Sequence, residues 1–325
     1  MQQPLLRQRL QARGPRVIYV RIHRGLPAQA DGPIALTIGN FDGVHRGHQA
    51  MLARLIEAAE DLRLPSAVLT FDPHPREFFA HDAAPPRLSR LRQKFDVFRA
   101  FGIAKTIVAR FDQRLAAMSP ETFIDDVLVR RLDARWVLVG EDFRFGRARA
   151  GNLAVLRAHA KTFSVEAMRT VAVDAQRASS TAVREALAAG NLVRAAALLG
   201  RPYAISGRVA HGRKLGRSLG FPTANIPLRH PPALSGIFAV RVHGLGVAPC
   251  TGVASIGVRP TVRQDGPPLL EVFLFDFDET IYGRRVTVEF VHKLRDEEKY
   301  ETLDALTRQI RADVVQARDY FARVA

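Results

Sequence analysis

The sequence predicts an α/β domain built on a parallel sheet, followed by a small antiparallel β-barrel with a C-terminal helix. Three observations carry this. Between residues 34 and 199, short continuously apolar runs alternate with helical patterns, and strands apolar on both faces belong to parallel sheets covered by helices. The suspicious glycine-bearing loops follow those strands directly, where open α/β sheets bind ligands. After Gly200-Arg201-Pro202-Tyr203 the texture changes: glycine and proline become denser, and short β-like runs replace long helices. The expected organisation is a basic, disordered extension over 1–16, a first domain over 17–200 and a second over 201–325.

In chain order, residues 1–16 are rich in Gln, Arg and Leu and offer little to bury. No apolar core follows the arginines, as a secretory signal requires, and the segment lacks the serines of a mitochondrial transit peptide. Val17-Ile18-Tyr19-Val20 reads as a first strand. A second run, 34–38, leads into Gly39-Asn40-Phe41-Asp42-Gly43-Val44-His45-Arg46-Gly47-His48 and then a helix with Leu52, Leu55, Ile56, Ala59 and Leu62 on one face. Strand, loop and helix start form an anion cradle, because free N–H groups and the positive end of the helix dipole converge there. The lysine-bearing phosphate loop is absent. Instead His45 and His48 share a face of the first turn, and Gly47 between them lets a phosphate approach the backbone. The pair lacks the Glu of His-Glu-x-x-His and has no nearby cysteine or third histidine, which argues against zinc. As donors to charge building on a phosphoryl group, two imidazoles make chemical sense.

A strand over 67–71 runs into Asp72-Pro73-His74-Pro75, whose prolines fix the loop and stop the strand. A helix over 92–101 and a strand over 105–109 follow; Ser119-Pro120 reads as an N-cap with proline at the first helical position, carrying Phe123, Val127 and Leu128 inward. The strand 136–140 ends in Gly140-Glu141-Asp142-Phe143-Arg144-Phe145-Gly146. Taken alone, that loop is a packed aromatic corner. Ser179-Ser180-Thr181-Ala182-Val183-Arg184 opens another helix, where the hydroxyls serve as caps or, with Arg184, as a second anion site.

In the second domain a basic, glycine-rich stretch from Gly207 through Gly212, Leu215, Gly216 and Gly220 runs into Phe221-Pro222-Thr223-Ala224-Asn225. Backbone N–H groups of such a loop can cover phosphates. Thr223 and Asn225, two apart on a strand, offer two neutral oxygens to a hard cation. Strands are expected over 235–240 and 252–257, the latter leading to Arg259-Pro260-Thr261. Over 271–277 both faces are largely apolar, so Glu271 shares its face with Phe273, Phe275 and Phe277. An acid bordering an aromatic face is costly unless partnered or exposed, which makes it a candidate general base. A final helix carries Leu303, Leu306, Ile310, Val314, Ala317 and Phe321 towards the barrel.

Composition sets the outer bounds. A hydrophobic fraction of 47% and a charged fraction of 25% are those of a soluble globular protein, and no apolar run reaches membrane-spanning length. The lone Cys250 excludes an internal disulfide and suits a reducing cytoplasm. A net charge of +16 fits nucleic acid binding, polyphosphate substrates or a local basic tail: six arginines and no acid occupy the first thirty residues. The aromatic-basic repeats of a single-strand binding platform are absent. Charge alone does not choose between the three.

The segment from Gly39 to Gln49 resembles the His-x-Gly-His signature of nucleotidyltransferases and, in full, the bacterial bifunctional riboflavin kinase/FAD synthetase family. Leu-Gly-Phe-Pro-Thr-Ala-Asn, ending at Asn225, is similar position by position to the riboflavin kinase signature. The resemblance extends from about residue 17 onward, with departures at Ala178, where Ile is usual, and Asn152, where Asp is commoner. It implies a Rossmann-like nucleotidyltransferase domain followed by a kinase barrel. Riboflavin and Mg-ATP would give FMN, and FMN with a second ATP would give FAD and pyrophosphate. It implies that His45, His48 and Arg184 act in adenylyl transfer, with Gly39, Asn40, Phe41, Asp42, Gly47, Ser179, Ser180 and Thr181 at ATP. Asp72, His74, Phe79, Asp142 and Phe145 would meet that module's flavin. In the kinase it implies Glu271 as base, Gly212, Leu215, Gly216, Gly220 and Pro222 at ATP, Arg295 and Glu298 at flavin, and Thr223 and Asn225 at Mg²⁺. The expected partners are these small molecules alone, without membrane or nucleic acid, in a protein free to form a homo-oligomer. The rival reading is a nucleotide- or nucleic-acid-binding regulator on an inactive flavin-enzyme scaffold.

Overall fold

The computed structural model describes residues 21–80, 83–212, 219–257 and 268–324. The extension over 1–16, the strand expected over 17–20, Leu215, Gly216 and Arg259-Pro260-Thr261 lie outside the described residues. The chain groups into two compact units. Of the described residues, one comprises 21–40, 51–78 and 95–169; the other comprises 41–50 and the described residues within 79–94 and from 170 onward. This grouping is spatial, whereas the limits read from the sequence follow the chain.

The first unit holds a six-stranded sheet of β1 (Arg21–Arg24), β2 (Ile34–Ile38), β3 (Ser66–Asp72), β4 (Lys105–Arg110), β5 (Ala134–Gly140) and β6 (Ser164–Met168). Its order is β1-β4-β3-β2-β5-β6 and every pairing is parallel. Parallel strands covered on both faces must be apolar on both, and all five residues of β2 are buried. Even Thr37 is satisfied internally, its hydroxyl donating to Leu138 O at 2.9 Å. From β2 the chain proceeds to β3 and β4 on one side, while β5 and β6 lie on the other. The adjacent ends of β2 and β5 are therefore the switch point at which such sheets open a crevice.

Helix α1 (Arg46–Asp61) follows β2 and buries Leu52, Leu55, Ala58 and Ala59. Leu62, expected on that face, lies beyond the helix end and is 48% exposed. Helix α2 (Pro75–Ala80) starts on the proline of the His74 loop, and α3 (Leu91–Ala100) precedes β4. Ser119 caps the expected turn by accepting from Thr122 N at 3.1 Å, and Phe123, Val127 and Leu128 are buried in the π-helical segment Phe123–Arg131. Asn152 has a local reason of its own. Its side chain accepts from Val155 N at 3.0 Å and caps α4 (Leu153–His159).

The second unit contains β9 (Ala204–Arg208), β10 (Thr223–Pro227), β11 (Gly236–His243), β12 (Cys250–Gly257), β13 (Leu269–Leu274) and β14 (Arg285–Arg295). The small hairpin β7 (Ala172–Val173) and β8 (Gln176–Arg177) precedes them, followed by α5 (Ser180–Ala188) and α6 (Leu192–Leu199). The six strands pair antiparallel in the order β10-β13-β12-β11-β14-β9. A bridge from Ala210 to Asn225 brings the two outer strands together, so the sheet is a nearly closed barrel. Ile226, Phe238, Val240, Ile256, Val272 and Phe290 fill its core.

The opposite face of the barrel packs on the terminal helix α7 (Leu303–Val324), with Ala317, Val314 and Phe321 against Ala239, Phe273 and Phe275. Leu303 is not part of that seal and is 57% exposed. Phe277 departs from the alternation expected for it. The strand ends at Leu274 and the chain turns at Asp276 (φ 51°), which moves Phe277 to the main barrel core.

At the barrel seam a Cβ on Gly207 would collide with the fully buried Ile226 side chain. Gly207→Val is expected to cost about 1–3 kcal/mol through overpacking, read as a lower unfolding midpoint. An unchanged midpoint would show that the seam tolerates the extra methyls.

Candidate active site

The loop between β2 and α1 is backbone-strained. Phe41 (φ 50°), Gly43 (φ 79°) and Val44 (φ 43°) all lie in the left-handed region, which is an outlier for a β-branched residue. Phe41 and Val44 are fully buried, and a Cβ on Gly43 would approach Leu88 Cδ1 to 2.9 Å. Asp42, 3% exposed, holds this loop. Its carboxylate accepts from Leu88 N at 3.1 Å, Ser89 N at 3.0 Å and Arg184 Nη2 at 2.6 Å. Ser89 Oγ accepts in turn from Gly43 N at 2.9 Å, and Ser180 Oγ donates to Asp42 O at 2.9 Å.

The two histidines stack with ring centroids 3.7 Å apart, and Phe41 packs on His48 at 4.9 Å. A Cβ on Gly47 would come within 3.1 Å of the His45 ring, so glycine is what permits the stack. His45 Nδ1 accepts a long bond, 3.4 Å, from His48 N, which leaves Nε2 as the protonated nitrogen of a neutral ring. Burial pushes His45 down to about 4; nearby Asp42 resists this, while Arg177 and Arg184 add to it. His48 is held well below the usual imidazole value by burial first, then by His45 and Lys94. Its Nδ1 is buried without a hydrogen-bond partner among the described residues.

The third predicted member, Arg184, has two nitrogens committed. Besides Asp42, it donates from Nε to Pro86 O at 2.7 Å. Ser179 caps α5 by accepting from Ala182 N at 3.1 Å, and Thr181 is exposed beside it. Arg177 is a cation that sequence reasoning passed over. It lies near enough to His45 to disfavour protonation there, and its signal was a basic residue just before the Ser-Ser-Thr cap.

In the parallel-sheet unit, Gly39 N donates to Leu69 O at 3.0 Å, and Asn40 O accepts from Thr70 Oγ1 at 3.2 Å. Both groups tie the end of β2 to β3. The half-buried Asp72 ends β3 and the half-buried His74 follows it; His74 Nδ1 accepts from Arg76 N at 3.0 Å. Asp142 is exposed beyond β5, whereas Phe145 lies in the core against Phe123 and Phe143. Phe79, in the other unit, is 66% exposed.

In the barrel, a pocket beside the seam is lined by Val209, Gly212, Pro222, Thr223, Asn225 and Tyr282. Gly220 is exposed at φ 86°. Asn225 stands directly across from Glu271, and Glu271 across from Ser255, so the three side chains share the barrel's outer face. Thr223, two residues before Asn225, is on that face too, so predicted base and predicted metal ligands are neighbours. Asn225 Nδ2 donates to Thr223 O at 3.1 Å, which leaves its Oδ1 as the acceptor.

Arg295 forms a two-pronged ion pair with the buried Asp313 of α7, both contacts at 2.8 Å, and this pair raises its proton affinity. The exposed Glu298 accepts from Tyr300 OH at 3.0 Å. Sequence reasoning missed Glu297. Its carboxyl accepts from Ser255 Oγ at 3.4 Å, and its pKa is raised by burial, with Glu271 contributing. A run of acids after Arg295 was the available signal.

Comparison with known proteins places these motifs in context. A model described as FAD synthetase matches residues 28–182, and one described as riboflavin kinase matches 199–321. A protein of Escherichia coli (strain K12) is 46% identical over 306 residues, covering 92% of this chain and 96% of its own. One of Haemophilus influenzae is 49% identical over 290 residues, covering 88% and 94%. Both are called bifunctional riboflavin kinase/FMN adenylyltransferase. A solved structure described as a macrolide-efflux protein from Streptococcus pneumoniae superposes with a TM-score of 0.76 at 27% identity, covering 91% of this chain and 97% of that one. With two matched modules in one order and relatives aligned along almost their whole length, the chain belongs to the bifunctional riboflavin kinase/FMN adenylyltransferase family.

Proposed function

We propose that this chain makes FAD from riboflavin in two ATP-dependent steps. The observation that carries the reading is the presence of both modules in a chain aligned over about nine-tenths of its length with relatives named for both activities. In the first step the ribityl hydroxyl oxygen attacks the γ-phosphorus of ATP, loses its proton to a base, and releases ADP. In the second, an FMN phosphate oxygen attacks the α-phosphorus of another ATP and pyrophosphate leaves. Nothing specific supports the regulator alternative.

Glu271 is the base in this reading, and its cross-strand position beside Asn225 supports the assignment. Thr223 and Asn225 would hold Mg²⁺. The donor set fits: two neutral oxygens flank a carboxylate, suited to a hard cation that takes its other ligands from phosphates and water. The ion would neutralise charge on the transferring phosphates. Gly212 leaves space there, since a Cβ would collide with the Asn225 amide. Arg295, fixed by Asp313, and Glu298 would border the flavin.

In the transferase module, His45 and His48 donate to the phosphates, and a neutral His45 does so through Nε2–H. Arg184 has its guanidinium partly spent on Asp42, so it shapes the cradle as well as adding charge to it. Asp72, His74 and Asp142, all of the parallel-sheet unit, would meet the flavin, and Phe145 is buried in that unit's core. The cytoplasm, where ATP is held and the free Cys250 stays reduced, is the expected compartment. Among the described residues no helix is long and apolar enough to cross a membrane.

Removing one such phosphate donor costs on the order of 10²–10³ in turnover. His48→Ala is expected to lose that much FAD synthesis and keep FMN synthesis, and Glu271→Ala the reverse. If either abolished both reactions in a folded protein, the module assignments would be wrong.

The pH dependence follows from His45. Its folded-state value, about 4, lies below the ordinary 6.5, so the native ring stays neutral while an unfolded chain begins to protonate near 6.5. Stability contributed by the neutral ring is full above 6.5 and is lost as pH falls towards 4, by roughly 3 kcal/mol in all. FAD formation from FMN is therefore expected to be level across pH 6–8, with no limb at the ordinary imidazole value. A limb near 6.5 that disappears in His45→Asn would show that the charged ring is the active form.

A further inference from the structure

Arg201 lies past the residues matched to FAD synthetase and within those matched to riboflavin kinase. Its guanidinium nevertheless serves the histidine loop. Nη2 donates to Gly43 O at 2.7 Å, and Nη1 donates to Val44 O and Leu199 O, both at 3.2 Å. Among the described residues no carboxylate pairs with it, and burial lowers its proton affinity. A half-buried cation that spends its donors on three carbonyls is costly to maintain. What it holds is therefore informative.

Gly43 and Val44 are two of the three left-handed residues of the strained loop. Val44 O also accepts from Gln49 Nε2 at 2.8 Å, and Gln49 reaches Leu199 O at 2.6 Å. Arg46 adds a bond from Nε to Ala197 O at 2.8 Å. In a trans peptide the C=O and the following N–H point in opposite directions. Clamping Val44 O from one side therefore aims the His45 N–H to the other. That amide precedes the first turn of α1, whose opening N–H groups have no intrahelical acceptors. Strained loop, aimed amide and stacked imidazoles are thus pinned from behind, with Arg201 holding both Gly43 O and Val44 O.

We propose that Arg201, carried by the kinase-matched part of the chain, is a positioning residue for adenylyl transfer: by clamping Gly43 O and Val44 O it orients the phosphate-binding amides and His45. The inference rests on the phosphate-binding role proposed for that loop. It makes the entry to the barrel a working part of the other reaction's site.

The test compares Arg201→Met, which keeps length and packing but cannot donate, with Arg201→Lys, which keeps charge and one set of donors. Arg201→Met is expected to lower kcat for FAD formation from FMN by about 10²-fold, with FMN formation from riboflavin changed by less than about twofold. Arg201→Lys is expected to fall between the two and to remain folded. Amide exchange over residues 43–48 is expected to accelerate in Arg201→Met, while exchange in β11 and β12 stays unchanged. FAD formation within about twofold of the unaltered protein, or unaltered exchange over 43–48, would overturn the proposal. So would equal loss of both activities in folded Arg201→Lys. If the unaltered protein adenylylates no FMN, the proposed function fails on its own, and the exchange measurement still decides whether Arg201 holds the loop.

Discussion

The buried carboxylate of Asp42 is the interaction on which the histidine loop depends. It sits in a loop with three left-handed residues, of which the two that are not glycine, Phe41 and Val44, each cost of order 1–3 kcal/mol that the surroundings must offset. Leu88 N, Ser89 N and Arg184 converge on it, and its own carbonyl takes Ser180. One side chain thereby joins the loop, the segment before α3 and the start of α5. Removing a partner from such a buried charge is expensive, typically 3–5 kcal/mol, because the remaining charge has no solvent to turn to. A carboxylate that does this much internal bonding is a strut of the loop.

Such internal bonding separates what the sequence disclosed from what it concealed. Apolar runs disclosed the parallel sheet, because strands covered on both faces have to be apolar throughout, as β2 is. The glycine-rich texture after residue 200 disclosed the barrel for a similar reason. Side-chain commitments were not legible. Arg184 was read as part of an anion site and Arg295 as a flavin neighbour, and the sequence did not show that each pairs with a buried carboxylate from another segment. Phe145 was read as a flavin contact and lies in the core, since an aromatic at a loop end gives no clue to which way the chain turns. Phe277 failed for a related reason: alternation persists on paper after the strand has ended, but not through a residue at φ 51°.

The barrel shows how a polar row survives on an apolar framework. Its core face is sealed by Ile226, Leu270, Val272 and Ile256. Its outer face is half covered by α7, and beyond that cover stand Asn225, Glu271 and Ser255 across three strands. The register, not the chain order, makes these residues neighbours. Asp313 extends the arrangement from α7, fixing Arg295 in a buried pair whose rigid fork geometry leaves little orientational freedom. Glu297, drawn close to Glu271 by the same segment, became visible only through this folding.

The central claim is that one chain performs both steps in sequence, and the most direct measurement is a time course. Purified protein would be incubated with riboflavin, Mg²⁺ and ATP, and the flavins separated chromatographically. The account requires FMN to rise first and then give way to FAD, with pyrophosphate released alongside FAD. Absence of FMN from riboflavin, together with absence of FAD from added FMN, would contradict it.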